Sequence, residues 1–299
     1  MIDRRAVIGA IPLFLAAGCM PGRNQASIMT NPIFAAIEKR IGGRLGVALI
    51  DSEGNVISSH RGNERFAMCS TFKAPLASAL FAAHADGSAD MNAKFFLKPE
   101  DQVPYMPFVQ KHLEDGTAVS LRQLAKAAVQ TSDNAAANLV LKAVGGPEGL
   151  TRFFRNQGDR TTRLDRWEPD LNENAVGDPR DTTSPVAMGW LMQTLLLGNG
   201  IAENDKLTLQ NWMQGSVTGA NRIRAGLPKG WRVGNKTGTA PGGLAYNDIA
   251  IIWPSRAENG ASPVILIVYT DRPTASAKKV NAAIADVAKA AARLVGLPS

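Results

Sequence analysis

The sequence contains little cysteine and histidine, and this scarcity excludes several classes of site. Only two cysteines, Cys19 and Cys69, occur among 299 residues, so the chain cannot carry a disulfide framework. His60, His84 and His112 are far apart and form no His-x-His, HExxH or Cys/His cluster. A metal site therefore has no support in the sequence, and we expect no cofactor.

The chain is basic, with a net charge of +7, but it has no long run of basic residues. Lysine and arginine occur at most in pairs, as at Arg4-Arg5, Lys39-Arg40 and Lys278-Lys279. Proteins that bind nucleic acid usually cluster this charge, so we expect no nucleic-acid partner. A basic surface suits an anionic cell envelope. With 45% hydrophobic and 20% charged residues, the chain can bury a large core in one or two domains.

The N-terminus lacks an apolar run of membrane-spanning length. Ala6–Ala17 is uncharged and mostly apolar, and with the charged Met1–Arg5 before it, it predicts an export signal over residues 1–18. The paired arginines resemble a twin-arginine signal, but other export signals also carry paired basic residues, so both routes remain open. Leu15–Cys19 resembles a lipobox whose leucine lies one position early. We therefore expect a protein of the bacterial periplasm or envelope, either lipid-anchored through Cys19 or soluble.

Hydrophobic patterns predict strands at both ends of the chain and helices between them. The predicted strands are Arg44–Ile50, Val56–Ser59, Trp231–Gly234, Asp248–Trp253 and Pro263–Tyr269. The predicted helices are Pro32–Ile41, Thr71–Ala85, Leu121–Gln130, Ala135–Val144, Gly149–Asn156, Pro185–Leu197 and Val280–Val295. This order predicts an α/β (α+β) fold in which terminal helices flank one antiparallel sheet and an all-helical domain is inserted. We place the sheet domain at 19–64 and 215–299, and the helical domain at 65–214.

A Ser-x-x-Lys motif opens the first helix of the middle region. Ser70 and Lys73 share one face of a helix, so the hydroxyl and the amine could meet as a nucleophile and its base. A capping serine followed by a lysine that reaches out to water would give the same pattern. A second copy, Ser276–Lys279, lies in a polar stretch, so the motif alone decides nothing.

Two further motifs accompany the first. Ser132-Asp133-Asn134 lies between two predicted helices, and Lys236–Thr239 (Lys-Thr-Gly-Thr) lies at the end of a predicted strand. Together, and in this order, the three motifs resemble those of the class A serine β-lactamases, and the resemblance covers the whole chain after the export signal. It implies the β-lactamase and D,D-peptidase fold.

A fourth segment resembles the omega loop of that family, here residues 163–181. Arg166–Asn172 contains a glutamate and an asparagine four residues apart, and Asp178–Asp181 resembles the end of the loop. The resemblance implies an ion pair between Arg166 and Asp181, and a cis peptide bond before Pro169.

The resemblance implies that Ser70 attacks the lactam carbonyl and becomes acylated, while Lys73 or Glu168 accepts its proton. Lys73 needs a lowered pKa to act as a base, and we expect Lys236 to lower that pKa and Glu168 to oppose it. The backbone N–H groups of Ser70 and Thr239 resemble an oxyanion hole.

The other motif residues have implied roles around the substrate. Ser132 would relay a proton to the lactam nitrogen, and Asn134 would hold the substrate's side-chain amide. Lys236 and Thr237 would bind its carboxylate, and Gly238 would leave room for the substrate along the strand. Two residues would act in deacylation: Glu168 as general base and Asn172 as a second contact to the water.

Residues outside the motifs refine this expectation. Tyr105 matches an aromatic wall of the family's pocket, although an exposed loop tyrosine is the alternative. Arg222 matches a position where some members place an arginine for the substrate carboxylate. The resemblance also suggests that Cys69 is a free thiol, because the position bridged to it in some carbapenem-hydrolysing relatives is Ala240. Pro75 removes an N–H group near the start of the Ser70 helix, which a first turn tolerates.

The predicted activity is hydrolysis of penicillins and cephalosporins through a Ser70 acyl-enzyme, which gives antibiotic resistance, by a monomer. Two alternatives share most of these residues. A D,D-peptidase or penicillin-binding protein would be acylated and then stall, and the segment from Glu168 to Asn172 argues against it. A non-catalytic envelope protein could keep the fold and bind β-lactams without turnover.

Overall fold

The computed structural model describes residues 31–255 and 262–295. The helices are α1 Pro32–Ile41, α2 Lys73–Ala85, α3 Pro107–Glu114, α4 Leu121–Gln130, α5 Asn134–Ala143, α6 Gly146–Asn156, α7 Pro185–Leu196, α8 Glu203–Gln214, α9 Ile223–Gly226 and α10 Ala277–Leu294. The strands are β1 Arg44–Ile50, β2 Val56–His60, β3 Phe66–Ala67, β4 Lys94–Phe95, β5 Val119–Ser120, β6 Thr182–Thr183, β7 Arg232–Thr239, β8 Tyr246–Trp253 and β9 Val264–Asp271. Short 3₁₀ turns lie at Cys69–Phe72, Pro99–Asp101, Asp170–Asn172 and Pro241–Gly243.

Five strands form one antiparallel sheet in the order β2-β1-β9-β8-β7. Alternate residues of β1 point to opposite faces, so Leu45 and Val47 pack with α1 and α10, whereas Ala48 and Ile50 pack toward the helical region. The predicted fold class, an antiparallel sheet flanked by the terminal helices, is confirmed. The proposed domain boundaries remain predictions.

Helices α2 to α8 share one core with the inner face of the sheet. Helix α2 is buried along most of its length and contacts α4, α5 and α8. This central position fixes the residues at its N-terminus, because both the sheet and the helices enclose them. No helix in the described part of the chain is both long and apolar enough to cross a membrane.

Several element boundaries differ from the sequence predictions. Strand β7 continues through the Lys-Thr-Gly-Thr motif to Thr239, because backbone pairing with β8 extends past the apolar residues. Helices α3 and α8 were not among the predicted helices; α8 buries Leu209, Trp212 and Met213 at helical spacing within a polar sequence. The predicted helix from Thr71 begins instead as the 3₁₀ turn before α2.

The second Ser-x-x-Lys copy lies at the start of α10, on the terminal helix pair. Ser276 occupies the position before the helix, and Lys278 and Lys279 are exposed. The predictions for the export signal and Cys19 fall outside the described residues.

Candidate active site

Ser70 lies in the 3₁₀ turn Cys69–Phe72, and Lys73 begins α2. The Lys73 side chain is fully buried, and its ammonium contacts the Glu168 carboxylate at 2.9 Å. It also donates to the Ser132 carbonyl at 2.9 Å and to Asn134 Oδ1 at 2.5 Å. Ser70 Oγ lies 3.5 Å from Glu168 Oε1. Ser70 and Lys73 are therefore linked through Glu168, rather than by the direct hydrogen bond that their spacing suggested.

Both buried lysines have lowered pKa values, but the cause at Lys73 differs from the one expected. Burial is the main cause that lowers the pKa of Lys73, and the Glu168 carboxylate opposes it. The charge of Lys236 is therefore not the main cause of the lowered Lys73 pKa. The main cause is burial, because the position of Lys73 at the start of α2 removes it from solvent. Burial, followed by the charge of Lys73, lowers the pKa of Lys236 well below its ordinary value.

The Ser-Asp-Asn motif forms the tight turn that enters α5. Asp133 accepts hydrogen bonds from the backbone N–H groups of Ala136, Phe108 and Val109, and so fixes this turn. Ser132 has a positive φ of 62°, a strained conformation of the kind found at functional sites. In this conformation, Ser132 Oγ accepts a hydrogen bond from Lys236 Nζ at 2.9 Å.

Asn134 already has partners on both ends of its amide. Its Oδ1 accepts from Lys73, and its Nδ2 donates to the Pro104 carbonyl at 2.8 Å. One N–H of the amide remains for the substrate contact that the sequence predicted.

The Lys-Thr-Gly-Thr segment of β7 runs along one side of the site. Lys236 Nζ donates to the Thr237 carbonyl at 2.8 Å, and Thr237 Oγ1 donates to Thr218 Oγ1 at 2.9 Å. The expected reason for Gly238 needs correction. A Cβ at Gly238 would lie 2.7 Å from the Met68 carbonyl oxygen, so the glycine lets β7 approach the segment that carries Ser70.

The omega loop places Glu168 and Asn172 beside Ser70. Asn172 Nδ2 donates to Glu168 Oε2 at 2.5 Å, and both side chains are buried. The predicted ion pair is present, since Arg166 Nε lies 2.6 Å from Asp181 Oδ2. The bond between Glu168 and Pro169 is cis, as predicted.

Arg222 lies beneath the end of β7 and is nearly buried. Its guanidinium donates to the carbonyls of Gly238 and Asn247 at 2.9 and 2.6 Å, to Thr239 Oγ1 at 2.8 Å, and to Asn281 Oδ1 at 3.0 Å. These four bonds leave one of its five N–H groups for a ligand. Arg222 therefore places positive charge under Thr239 and also orders the strand.

These segments surround one open pocket of about 550 Å³, a volume typical of small-molecule sites. Its lining residues are Ser70, Pro104, Tyr105, Ser132, Asn134, Pro169, Asn172, Thr218, Gly219, Arg222, Thr237, Gly238, Thr239, Ala240 and Pro241. Tyr105 is 60% exposed at the rim, with a positive φ of 63°. Lys73, Glu168 and Lys236 lie behind this lining as buried ionisable side chains. The described residues contain no group of His, Cys, Asp and Glu side chains that could hold a metal ion.

Comparison with known proteins gives one consistent family. A model of the β-lactamase enzyme family matches residues 30–295. The chain is 43% identical to the β-lactamase OXY-1 of Klebsiella oxytoca over 280 residues, or 94% of this chain and 93% of that protein. It is 41% identical to the carbapenem-hydrolysing β-lactamase KPC of Klebsiella oxytoca over 275 residues, or 91% and 92% of the two chains. The solved structure of an ancestral class A β-lactamase matches with a TM-score of 0.80 at 47% identity, covering 85% of this chain and 95% of that one.

The chain belongs to the class A β-lactamases. It is thus a β-lactam-hydrolysing enzyme, as its three motifs and its omega loop predicted.

Two further residues of the β-lactamase contact the site, although the motifs did not identify them. Asn138 accepts from the Glu168 backbone N–H and donates to the Glu168 carbonyl, both at 3.0 Å, and so fixes that residue from α5. Thr218 brings a second hydroxyl to Thr237. Asn138 was visible as a polar residue one helical turn after Asn134, but only the fold shows that it faces the omega loop.

Proposed function

We propose that this β-lactamase hydrolyses penicillins and cephalosporins through an ester on Ser70. Ser70 Oγ attacks the lactam carbonyl, the carbon–nitrogen bond breaks, and the ring nitrogen receives a proton through Ser132. Water then attacks the ester, Glu168 accepts its proton, and Ser70 is released with the opened acid. The observation that carries the proposal is the position of Glu168, which contacts Ser70, Lys73 and Asn172 from one buried carboxylate.

Glu168, rather than Lys73, is in place to accept the Ser70 proton in this structure. Lys73 Nζ contacts three oxygen atoms, those of Glu168, Ser132 and Asn134, which is the arrangement of an ammonium group with no lone pair to offer. Glu168 Oε1 is the acceptor that lies beside Ser70 Oγ. The Ser70–Glu168 distance of 3.5 Å is long, but catalytic hydrogen bonds often shorten when substrate binds.

The substrate's carboxylate is assigned to the basic side of the pocket. Thr237 and Thr239 line it, and the buried cations Lys236 and Arg222 lie next to them. An anion placed there gains charge-assisted hydrogen bonds in a site of low dielectric. The backbone N–H groups of Ser70 and Thr239 serve as the oxyanion hole on this assignment.

Steady hydrolysis of a chromogenic cephalosporin by the purified protein tests the proposal. We expect many turnovers per enzyme, and no turnover for Ser70→Ala. One stoichiometric burst followed by silence would indicate a penicillin-binding protein, and binding without acylation would indicate a non-catalytic protein.

For the cell, we propose export to the periplasm or envelope, on the basis of the N-terminal sequence. A monomer remains our proposal for the oligomeric state. Lipid attachment at Cys19 is tested by labelling cells with an alkyne fatty acid and comparing the parent with Cys19→Ser. A lipidated protein carries the label only in the parent, whereas a soluble exported protein carries none.

A further inference from the structure

A buried carboxylate lies behind the strand that carries the Lys-Thr-Gly-Thr motif. Asp248 is fully buried on β8, directly opposite Thr237 of β7, and it does not line the pocket. Neither the catalytic steps nor the substrate contacts above use this group. A buried charge is costly unless it is hydrogen-bonded or paired, so its presence here needs a physical reason.

Asp248 accepts hydrogen bonds from two residues, each of which is adjacent in sequence to a cation that we assign to the substrate's carboxylate. Its Oδ1 accepts a hydrogen bond from Asn235 Nδ2 at 2.9 Å, and its Oδ2 accepts one from the Ile223 backbone N–H at 3.1 Å. Asn235 directly precedes Lys236, and Ile223 directly follows Arg222. One carboxylate thus joins β7 to the segment that carries Arg222.

The ion pairs of the buried site are unequally distributed. Lys73 has Glu168 at 2.9 Å, whereas no described carboxylate lies within salt-bridge distance of Lys236 or Arg222. The Lys236 ammonium donates only to uncharged oxygens, those of Ser132 and Thr237. The Arg222 guanidinium likewise has uncharged acceptors. Asp248 is a buried carboxylate held next to both cations by Asn235 and Ile223, their neighbours in sequence.

We propose that Asp248 is a positioning residue that keeps Lys236 protonated and holds Lys236 and Arg222 in place for the substrate's carboxylate. The inference rests on the proposed function, in which these two cations bind that carboxylate. Asp248 acts through Lys236 and Arg222 and does not itself contact the substrate.

The electrostatics of the cluster agree with this role. Burial and the charge of Lys73 lower the pKa of Lys236, and among the groups that oppose this, the Asp248 carboxylate comes before Glu168. Arg222 also lowers it. Burial raises the pKa of Asp248 to about 6, against its hydrogen bonds and the charges of Arg222 and Lys236, so the group is ionised at neutral pH.

The first test is Asp248→Asn, which keeps the shape of the side chain and removes its charge. Without that charge the pKa of Lys236 falls, so the ammonium is lost at lower pH. The quantity to measure is the KM ratio, which is KM for a penicillin at pH 8.5 divided by KM at pH 6.5. We expect this ratio to be about tenfold larger in Asp248→Asn than in the parent, as for a shift of about one pKa unit at Lys236. Asp159→Asn, at another buried aspartate outside the pocket, is the matched control and should leave this ratio unchanged.

The second test reverses the hydrogen bond between Asn235 and Asp248. In Asn235→Asp combined with Asp248→Asn, the amide introduced on β8 can donate to the carboxylate introduced on β7 and still accept from Ile223. The charge remains in the cluster, so the KM ratio should return toward the parental value. A purely structural role for Asp248 would make Asp248→Asn slower at every pH, with a lower melting temperature and an unchanged KM ratio.

A direct measurement of lysine titration completes the experiment. ¹³C-labelled lysine with assignment by Lys236→Arg follows the Lys236 ε-carbon against pH, whether or not the enzyme turns over. A Lys236 pKa that is lower in Asp248→Asn and restored in the double variant supports the proposal. An unchanged pKa overturns it, and if Asp248→Asn does not fold, a lowered pKa in the double variant overturns it. Failure of the parent to hydrolyse penicillin would instead contradict the proposed function.

Discussion

Lys73 and Glu168 form an ion pair of 2.9 Å in which both side chains are completely shielded from solvent. Each charge therefore depends on the other, because an unpaired charge at this depth is strongly destabilising. The pair also links the two halves of the reaction, since Lys73 is next to the acylation site and Glu168 contacts Asn172.

Replacing Glu168 should separate acylation from deacylation. In Glu168→Ala the pKa of Lys73 loses the charge that raises it most, so neutral amine becomes available as a base for acylation. Deacylation loses its general base, which is typically worth about 10²–10⁴-fold. We expect a burst with a penicillin and then near silence. Intact-mass spectrometry should find one penicilloyl group on Glu168→Ala and none on Ser70→Ala; parental turnover without adduct would remove Glu168 from the mechanism.

Arg222→Ala should weaken catalysis of carboxylate-bearing substrates. A hydrogen bond to a charged group contributes roughly 1.5–3 kcal/mol, which corresponds to roughly 10–150-fold in kcat/KM. Arg232→Ala is the matched control, because Arg232 is an exposed arginine at the other end of β7. If kcat/KM for a penicillin is the same in both variants, another cation binds the carboxylate.

Cys69 should behave as one inert thiol. The structure has it free and fully buried, and burial raises its pKa to about 12. With Cys19 removed, a thiol reagent at pH 8 should find no reactive group in the native protein and one in the denatured, unreduced protein. Finding none after denaturation would mean that Cys69 is modified or bridged.

Breaking the omega-loop ion pair should cost more than breaking a surface pair of the same loop. Asp181 is buried and accepts from the Asp165 and Arg166 backbone N–H groups as well as from the Arg166 side chain. We expect Asp181→Asn to lower the free energy of unfolding by about 3–5 kcal/mol, the cost of breaking a buried pair. Asp178→Asn, which breaks the more exposed pair with Arg180, should cost about 0–1 kcal/mol. Urea unfolding of both variants provides the comparison, and equal losses would contradict it.

Glu38 should contribute to the loss of stability in acid. Burial raises its pKa, but hydrogen bonds from Arg61, Leu45 and His60 outweigh burial and hold that pKa at about 2, against 4.5 ordinarily. A carboxyl group whose pKa is lower in the folded state stabilises the fold at pH values above its unfolded-state pKa. This stabilisation is lost as the pH falls through the folded-state pKa. Stability should therefore fall between about pH 4.5 and pH 2, and Glu38→Gln should reduce this slope in urea titrations. An unchanged slope would mean that other carboxylates dominate.

The catalytic residue types could be predicted from the sequence because they are local signals. Ser-x-x-Lys, Ser-Asp-Asn and Lys-Thr-Gly each occupy three or four consecutive positions, and their order identified the family. The short apolar run of Arg44–Ile50 also predicted β1, because such a run next to a turn is typical of a buried strand. These features depend on neighbours along the chain, so no tertiary contact is needed to find them.

The tertiary structure decided how these residues interact. Ser70 and Glu168 are 98 positions apart, and Lys236 and Ser132 are 104 positions apart, so no local pattern relates them. The family resemblance implied that Gly238 leaves room for the substrate. In the structure, its missing side chain instead makes room for the Met68 backbone. Burial, which sets the pKa values of Lys73 and Lys236, comes from packing between the sheet and the helices and has no local signature. The sequence thus determined which chemistry the β-lactamase carries, and the fold determined which charges meet and how far water is excluded from them.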